Sequence, residues 1–222
     1  VSFDLQLTDL GYDDLVCETG PTKREYVSPD GHRFPSVTTV LSILSEEHIA
    51  KWKERVGEAE AERVSRRASN RGTLVHEIIE MYIRNDPDWA HGYMPHIISS
   101  FQAVRSTLDN RIGKVYGLET PLYSEHLGLA GRVDCVAEFD GKLSIIDFKT
   151  ANKKKRKEWI ENYFIQETAY AIMWEERTGQ PITQLVTIIA ADPEECQVFV
   201  EHRDNWTKPL LDCISEYKKR NP

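Results

Sequence analysis

Two strand-like runs joined by only two residues constrain this chain more than any other feature. Residues 129–139 are largely apolar, Asp140-Gly141 follows, and residues 142–148 resume with Leu143, Ile145 and Ile146. A two-residue hairpin turn needs positive φ at its central positions, which Asp-Gly tolerates. The chain therefore folds back at 140–141, and the flanking runs lie side by side. Residues 115–123 read as a strand before them, which makes an antiparallel meander of three.

An amphipathic helix over residues 158–178 comes next and stops at Gly179-Gln180-Pro181. Two strands follow, at 185–190 and 197–200, and a helix closes the chain from after Asn205 to about Tyr217. Upstream, Ser45 with Glu46 and Glu47 marks a helix start. The helical pattern runs over 46–84, with Gly57 and Gly72 as breaks, so two or three helices are expected. Residues 95–110 form another, with Ile97, Ile98, Phe101, Val104 and Leu108 on one face. Residues 1–35 read as a loose segment with a hairpin around Ser28-Pro29-Asp30-Gly31, and ordered structure begins at Ser36. A meander followed by a helical crossover predicts an α+β fold, with a mixed central β-sheet flanked by helices and an N-terminal helical layer or arch. We read 1–222 as a single domain, with residues 1–113 as N-terminal segment and arch and 114–222 as the core.

Apolar residues are 40% of the chain, enough for a core, and no stretch approaches the ~20 apolar residues of a membrane span. Cys17, Cys135, Cys196 and Cys213 are scattered with no CxxC pair, which speaks against an iron–sulfur cluster or a zinc ribbon and suits a reducing compartment. The net charge of −8 taken alone opposes a nucleic-acid partner. Acids that hold a divalent metal are part of that count, however, and local basic runs matter more.

The hairpin carries chemistry. Asp134 lies in its first strand, and Asp147 and Lys149 lie at the end of its second. Folding at 140–141 brings Asp134 opposite the region of Asp147, and a spacing of two puts Asp147 and Lys149 on one sheet face. Two half-buried carboxylates cost several kcal/mol without a counter-charge. A hard divalent cation with oxygen ligands resolves that repulsion, and Mg²⁺ or Mn²⁺ fits. Lys149 as a base would need a pKa well below about 10.4, so stabilising negative charge is the role it fits better.

Gly131-Arg132-Val133-Asp134, Asp147-Phe148-Lys149-Thr150 and Gln166-Glu167-Thr168-Ala169-Tyr170 resemble, in order, the motifs of RecB-like PD-(D/E)xK nucleases. Together with Phe34-Pro35-Ser36-Val37-Thr38-Thr39-Val40-Leu41, they resemble the mitochondrial genome maintenance exonuclease family over most of the chain, with a phage or bacterial member equally consistent. The resemblance implies a restriction-endonuclease-like nuclease domain with its catalytic core at 114–222. It also implies a metal bound by His76, Asp134, Asp147 and the Phe148 carbonyl, with Lys149 as catalytic lysine. Glu119 matches a less uniform acidic position, and Gln166 and Tyr170 match a helix motif beside the site and the DNA. The implied activity is Mg²⁺- or Mn²⁺-dependent cutting of single-stranded DNA near free ends, with the strand threaded under a helical arch. The setting would be DNA replication, repair or recombination, with partner proteins of those processes.

Further nucleic-acid contacts are expected from Arg132 and Thr150 within the motifs and from Lys153 and Lys154 in the run after Thr150. Arg71 and Trp52 are expected to contribute from the basic helices upstream, Trp52 as a stacking surface. On the helix, Thr73, His76 and Glu80 share a side. The competing readings are a structure-selective endonuclease on the same fold and a binding module without turnover. No presequence is visible, which points to the cytoplasm of a bacterial or phage-infected cell, or to the mitochondrial matrix if a presequence precedes Val1.

Overall fold

Short strands come first in the computed structural model, which describes residues 1–20, 23–192 and 195–222. β1 (Val16–Thr19), β2 (Arg24–Val27) and β3 (Arg33–Pro35) form a small antiparallel sheet. The Ser36 hydroxyl then accepts the Thr39 N–H and caps α1 (Val37–Leu41). Next come α2 (Glu46–Val56), α3 (Glu58–Ile83) and α4 (Pro95–Arg111). β4 (Ile112–Ser124), β5 (Leu129–Phe139) and β6 (Lys142–Ala151) lead into α5 (Glu161–Thr178). β7 (Gln184–Ala191), β8 (Glu195–His202) and α6 (Thr207–Arg220) complete the chain.

The main sheet has the order β4-β5-β6-β7-β8, with β6 and β7 parallel and every other pair antiparallel. α5 is the crossover that a parallel pair requires. The β5–β6 turn places Asp140 and Gly141 at φ 52° and 79°, as a two-residue hairpin demands. Residues 144–148 of β6 are buried without interruption, because helices cover both faces of the sheet. On one face Ile146, Phe148 and Val186 pack with Val75, Ile78, Phe101 and Leu108 of α3 and α4. On the other, Ile145 and Leu185 pack with Ala169, Met173 and Trp174 of α5 and Leu210 of α6.

Three expectations need correction. The described residues of 1–35 are packed rather than loose, with the expected hairpin at 28–31 as the turn between β2 and β3. Tyr26 and Phe34 are buried with Leu15 against Tyr123 and Ala130, and Leu5 bridges to Val115. Strands of three or four residues are too short to show alternation, and the residues they pack on, Tyr123 and Ala130, are far along the chain. Gly57 breaks the helical stretch, at φ 86° and ψ 149°, whereas α3 runs through Gly72 without interruption. β6 extends to Ala151, so Lys149 and Thr150 are within the strand.

α3 packs mainly through its C-terminal half, although Ala61 near its start is also buried. Val75, Ile78, Ile79, Tyr82 and Ile83 are buried, yet from residue 62 to 70 every residue except Val64 is exposed. α2, which leads into that half, buries nothing. Among the described residues no helix is long and apolar enough to cross a membrane.

Candidate active site

The site forms where the β5–β6 ladder gives out. Cys135 and Ile146 are the last Cα partners toward this end. Beyond them the Phe148 N–H donates to Asp134 Oδ2 at 2.8 Å, so a side chain replaces the partner strand. That bond fixes the Asp134 carboxylate while the Phe148 ring goes to the core on the α3 face. α3 delivers His76, whose Nδ1 stands 3.5 Å from Asp134 Oδ1. β4 delivers Glu119 from a left-handed backbone position, φ 47°. Ligand atoms of His76, Glu119 and Asp134 all lie within 4.8 Å of one another.

Asp147 and Lys149 share a face, with Lys149 Nζ 2.8 Å from Asp147 Oδ2. The contact is an ion pair rather than a directed hydrogen bond, and Asp147 Oδ2 is buried with no hydrogen-bond partner among the described residues. Lys149 Nζ donates to Gln166 Oε1 at 3.2 Å and sits 4.9 Å from the Tyr163 ring centroid. Gln166 in turn donates from Nε2 to the Tyr170 hydroxyl at 3.3 Å. A Cβ at Gly131 would stand 3.0 Å from Tyr170 Cε1, so a glycine there lets the tyrosine lie flat against β5. The result is an open concavity of about 580 Å³ that Arg132, Glu77, Glu80, Thr73 and Thr38 also line.

The electrostatics are those of charge crowded out of water. Burial pushes the Asp147 carboxyl up to about 6, against the pull of Lys149. Burial and the Asp134 charge raise Glu119 to about 7. Burial works against a charged His76, but Asp134 outweighs it and raises the imidazole to about 9. Burial also opposes the Asp134 charge, and His76 and Lys149 overcome it and hold the pKa below the usual value. Burial opposes the Lys149 charge as well, and Asp147 and Asp134 more than offset it, so the lysine is a firm cation. An imidazole and several carboxylates crowded together are a donor set that suits a divalent cation.

Other residues singled out in the sequence stand elsewhere or are already engaged. Arg132 pairs with Asp14 and donates from Nη1 to the Glu119 carbonyl at 2.8 Å. Thr150 Oγ1 lies 3.7 Å from where a Gly72 Cβ would be, under the crossing of α3. Arg71 is bound to Asp192 at 2.8 Å and to Ser100 at 3.0 Å, with its side chain 13% exposed, so it is not a free cation of the site. Lys154 pairs with Glu195, Lys153 is exposed, and Trp52 is half-buried on α2; none of the three lines the concavity. The sequence reading weighed Tyr163 as a stacking surface, whereas its ring lies against Lys149, and it gave Glu167 no role. Glu167 is fully buried, accepts from Thr187 Oγ1 and leaves Oε2 without a hydrogen bond among the described residues. Its place beside Gln166 in the helix motif was the available signal.

A family model described as the PD-(D/E)XK nuclease superfamily matches residues 90–216. Three curated relatives share the name mitochondrial genome maintenance exonuclease 1. The Homo sapiens protein is 29% identical over 225 residues, which covers 85% of this chain and 60% of that protein. The Xenopus tropicalis protein is 28% identical over 170 residues, covering 70% and 45%. The Mus musculus protein is 30% identical over 130 residues, covering 55% and 38%. The chain thus spans about half the length of the curated relatives it matches.

Proposed function

Because this chain belongs to the PD-(D/E)XK nuclease superfamily, we propose that its concavity hydrolyses phosphodiester bonds of single-stranded DNA near free ends. The reaction would use Mg²⁺ or Mn²⁺ held by His76, Asp134, Asp147 and the Phe148 carbonyl, with Glu119 beside them. The observation that carries this reading is the convergence of His76, Glu119 and Asp134 within 4.8 Å, next to the buried Asp147–Lys149 pair. A binding module needs neither the buried Asp147 carboxylate nor the lysine paired with it. Dependence on ends draws support from the relatives named as exonucleases.

A divalent cation there supplies Lewis acidity, polarising a phosphoryl oxygen and making water a stronger nucleophile at neutral pH. The protein's own part is placement and charge. The Phe148 N–H holds one oxygen of Asp134, which leaves the other turned toward His76. Lys149, kept cationic by its acidic neighbours, offsets the negative charge that grows on the phosphate in the transition state. Gln166 steers the ammonium through its carbonyl oxygen. Because the Tyr170 oxygen accepts from Gln166, its own O–H is free to donate to a phosphate oxygen.

Digestion of end-labelled linear and circular single strands with each metal tests this. Linear strands should shorten, circles should persist, and Lys149→Ala should lose activity by about 10²-fold or more, the scale of removing one transition-state charge partner. Equal cleavage of circles would replace end-dependence with endonuclease activity. Turnover in chelator, or unimpaired turnover by Lys149→Ala, would overturn the assignment.

A further inference from the structure

The turn between β2 and β3 meets the turn between β4 and β5 at an open concavity of about 630 Å³ that shares no lining residue with the reactive site. Asp30 and His32 come from the first turn and Glu125 from the second, and one ligand atom from each lies within 4.8 Å of the others. His32 Nδ1 stands 3.3 Å from Asp30 Oδ2. Ligands at about 2.0–2.2 Å from a tetrahedral ion stand about 3.3–3.6 Å apart, so this pair already has the spacing an ion imposes. The turns hold the ligands in place. The buried Ser28 donates its N–H to the His32 carbonyl at 2.8 Å and accepts the His32 N–H on its hydroxyl oxygen at 3.0 Å. Its hydroxyl donates to Asp30 Oδ1, which leaves Oδ2 for another partner. The Glu125 N–H donates to Glu176 Oε1 at 3.0 Å and ties the second turn to α5. The Glu125 carboxylate has no hydrogen bond or ion pair among the described residues. The cations around the cluster are already engaged: Arg33 pairs with Glu18 and Glu25, and Arg177 with Glu176.

We propose that Asp30, His32 and Glu125 bind a divalent transition ion of the Zn²⁺ class, which clips the small N-terminal sheet to the β4–β5 turn of the main sheet. An imidazole with two carboxylates favours such an ion over Mg²⁺, which demands octahedral oxygen ligands and gives up its water reluctantly. Three protein ligands leave one position for water. The exposed Glu125 side chain is long enough to close what remains of the 4.8 Å spread. Without an ion, His32 and Asp30 are an exposed pair, 66% and 52% accessible, and pairs of that kind hold a turn weakly. With one, two turns some 95 positions apart in sequence share a bond. The clip also bears on the reactive site at a distance, because Cys17, Arg24 and Tyr26 of the same small sheet line its concavity. The ion site itself shares no residue with the nuclease reading and stands or falls apart from it.

The test titrates Zn²⁺ by calorimetry into the full chain carrying Asp134→Asn and Asp147→Asn, which removes two carboxylates of the reactive site. The unaltered chain in excess Mg²⁺ serves as a second measurement that needs no substitution. Both should show one saturable Zn²⁺ site. His32→Ala and Glu125→Gln should each weaken it by more than about tenfold, the lower end of what losing even an outer-shell partner costs. All three ligands are exposed, so these variants keep the fold. Zn²⁺ should also slow amide exchange in β2 and β3, and Glu125→Gln should abolish that slowing. Co²⁺ in place of Zn²⁺ should give the visible absorption of a low-coordinate site, lost in His32→Ala. Absence of a saturable site in both proteins, or binding indifferent to His32→Ala, would overturn the proposal. Binding that survives His32→Ala and is lost in Cys17→Ser would give the ion to the thiol and likewise overturn it. Full affinity in Glu125→Gln would leave an ion on the hairpin alone and remove the clip.

Discussion

Glu119 carries two unfavourable features at once. Its backbone lies at φ 47°, where an L-residue other than glycine pays about 1–2 kcal/mol, and burial with the Asp134 charge raises its carboxyl to about 7. Residues held this way concentrate at functional sites. Glu119→Gly should therefore stabilise the metal-free protein by about 1–2 kcal/mol in urea denaturation while reducing metal-dependent turnover. Full activity in that variant would show that the carboxylate is idle. Asp134, Asp147 and Lys149 were legible in the sequence because a hairpin turn fixes which residues face each other. The strained backbone of Glu119 was not, since it depends on how β4 meets β5. Nor was the capture of Arg71 by Asp192, 121 positions away, because no periodicity encodes a distant ion pair.

At the level of elements, periodicity located the long helices and the hairpin well and failed on glycine. Gly57 and Gly72 look alike in sequence. Gly57 adopts φ 86° and ψ 149°, a region nearly closed to other residues, whereas Gly72 stays helical because the packed half of α3 carries it. Gly57→Ala would meet no atom within 4 Å, so its cost is conformational alone, of order 1–3 kcal/mol. Because α2 buries no residue, the strain should be released by moving α2 rather than by unfolding. We expect the global denaturation midpoint to shift by less than about 0.5 kcal/mol, with faster proteolysis near residue 57. A cooperative loss of the whole fold would mean that α2 is more firmly docked than its exposure indicates.

The whole molecule is a mixed sheet between two helical layers, and the order of its elements could be read because turn residues and apolar periods agreed along the core. Of the small N-terminal sheet only the hairpin at 28–31 was legible, as the turn between β2 and β3; the packing of Tyr26 and Phe34 on Tyr123 was not, since no local pattern encodes it. The site also has a global effect on stability. His76, Glu119 and Asp147 all have native pKa values raised above their ordinary 6.5, 4.5 and 3.8. The native state thus keeps protons that the unfolded chain has released, and the stability they confer is lost as pH rises through about 6, 7 and 9. Asp134 and the surface acids Glu18, Glu60, Asp140 and Glu216 act in the opposite sense, losing stability as pH falls. Thermal melts of the metal-free protein should therefore drop from pH 6 to pH 9, within the range set by those raised groups. Mg²⁺ or Mn²⁺ at a hundred times its Kd should restore about 2.7 kcal/mol, with the larger gain on the alkaline side. A melt at pH 8 indifferent to both ions would contradict the proposed site.

α3 has a mechanical consequence of its own. Its 26 residues make a rod of about 39 Å, packed mainly along its C-terminal half. Since the rod is unbroken at Gly72, it works as a cantilever. Displacement of its exposed N-terminal half would therefore tilt the segment that carries His76.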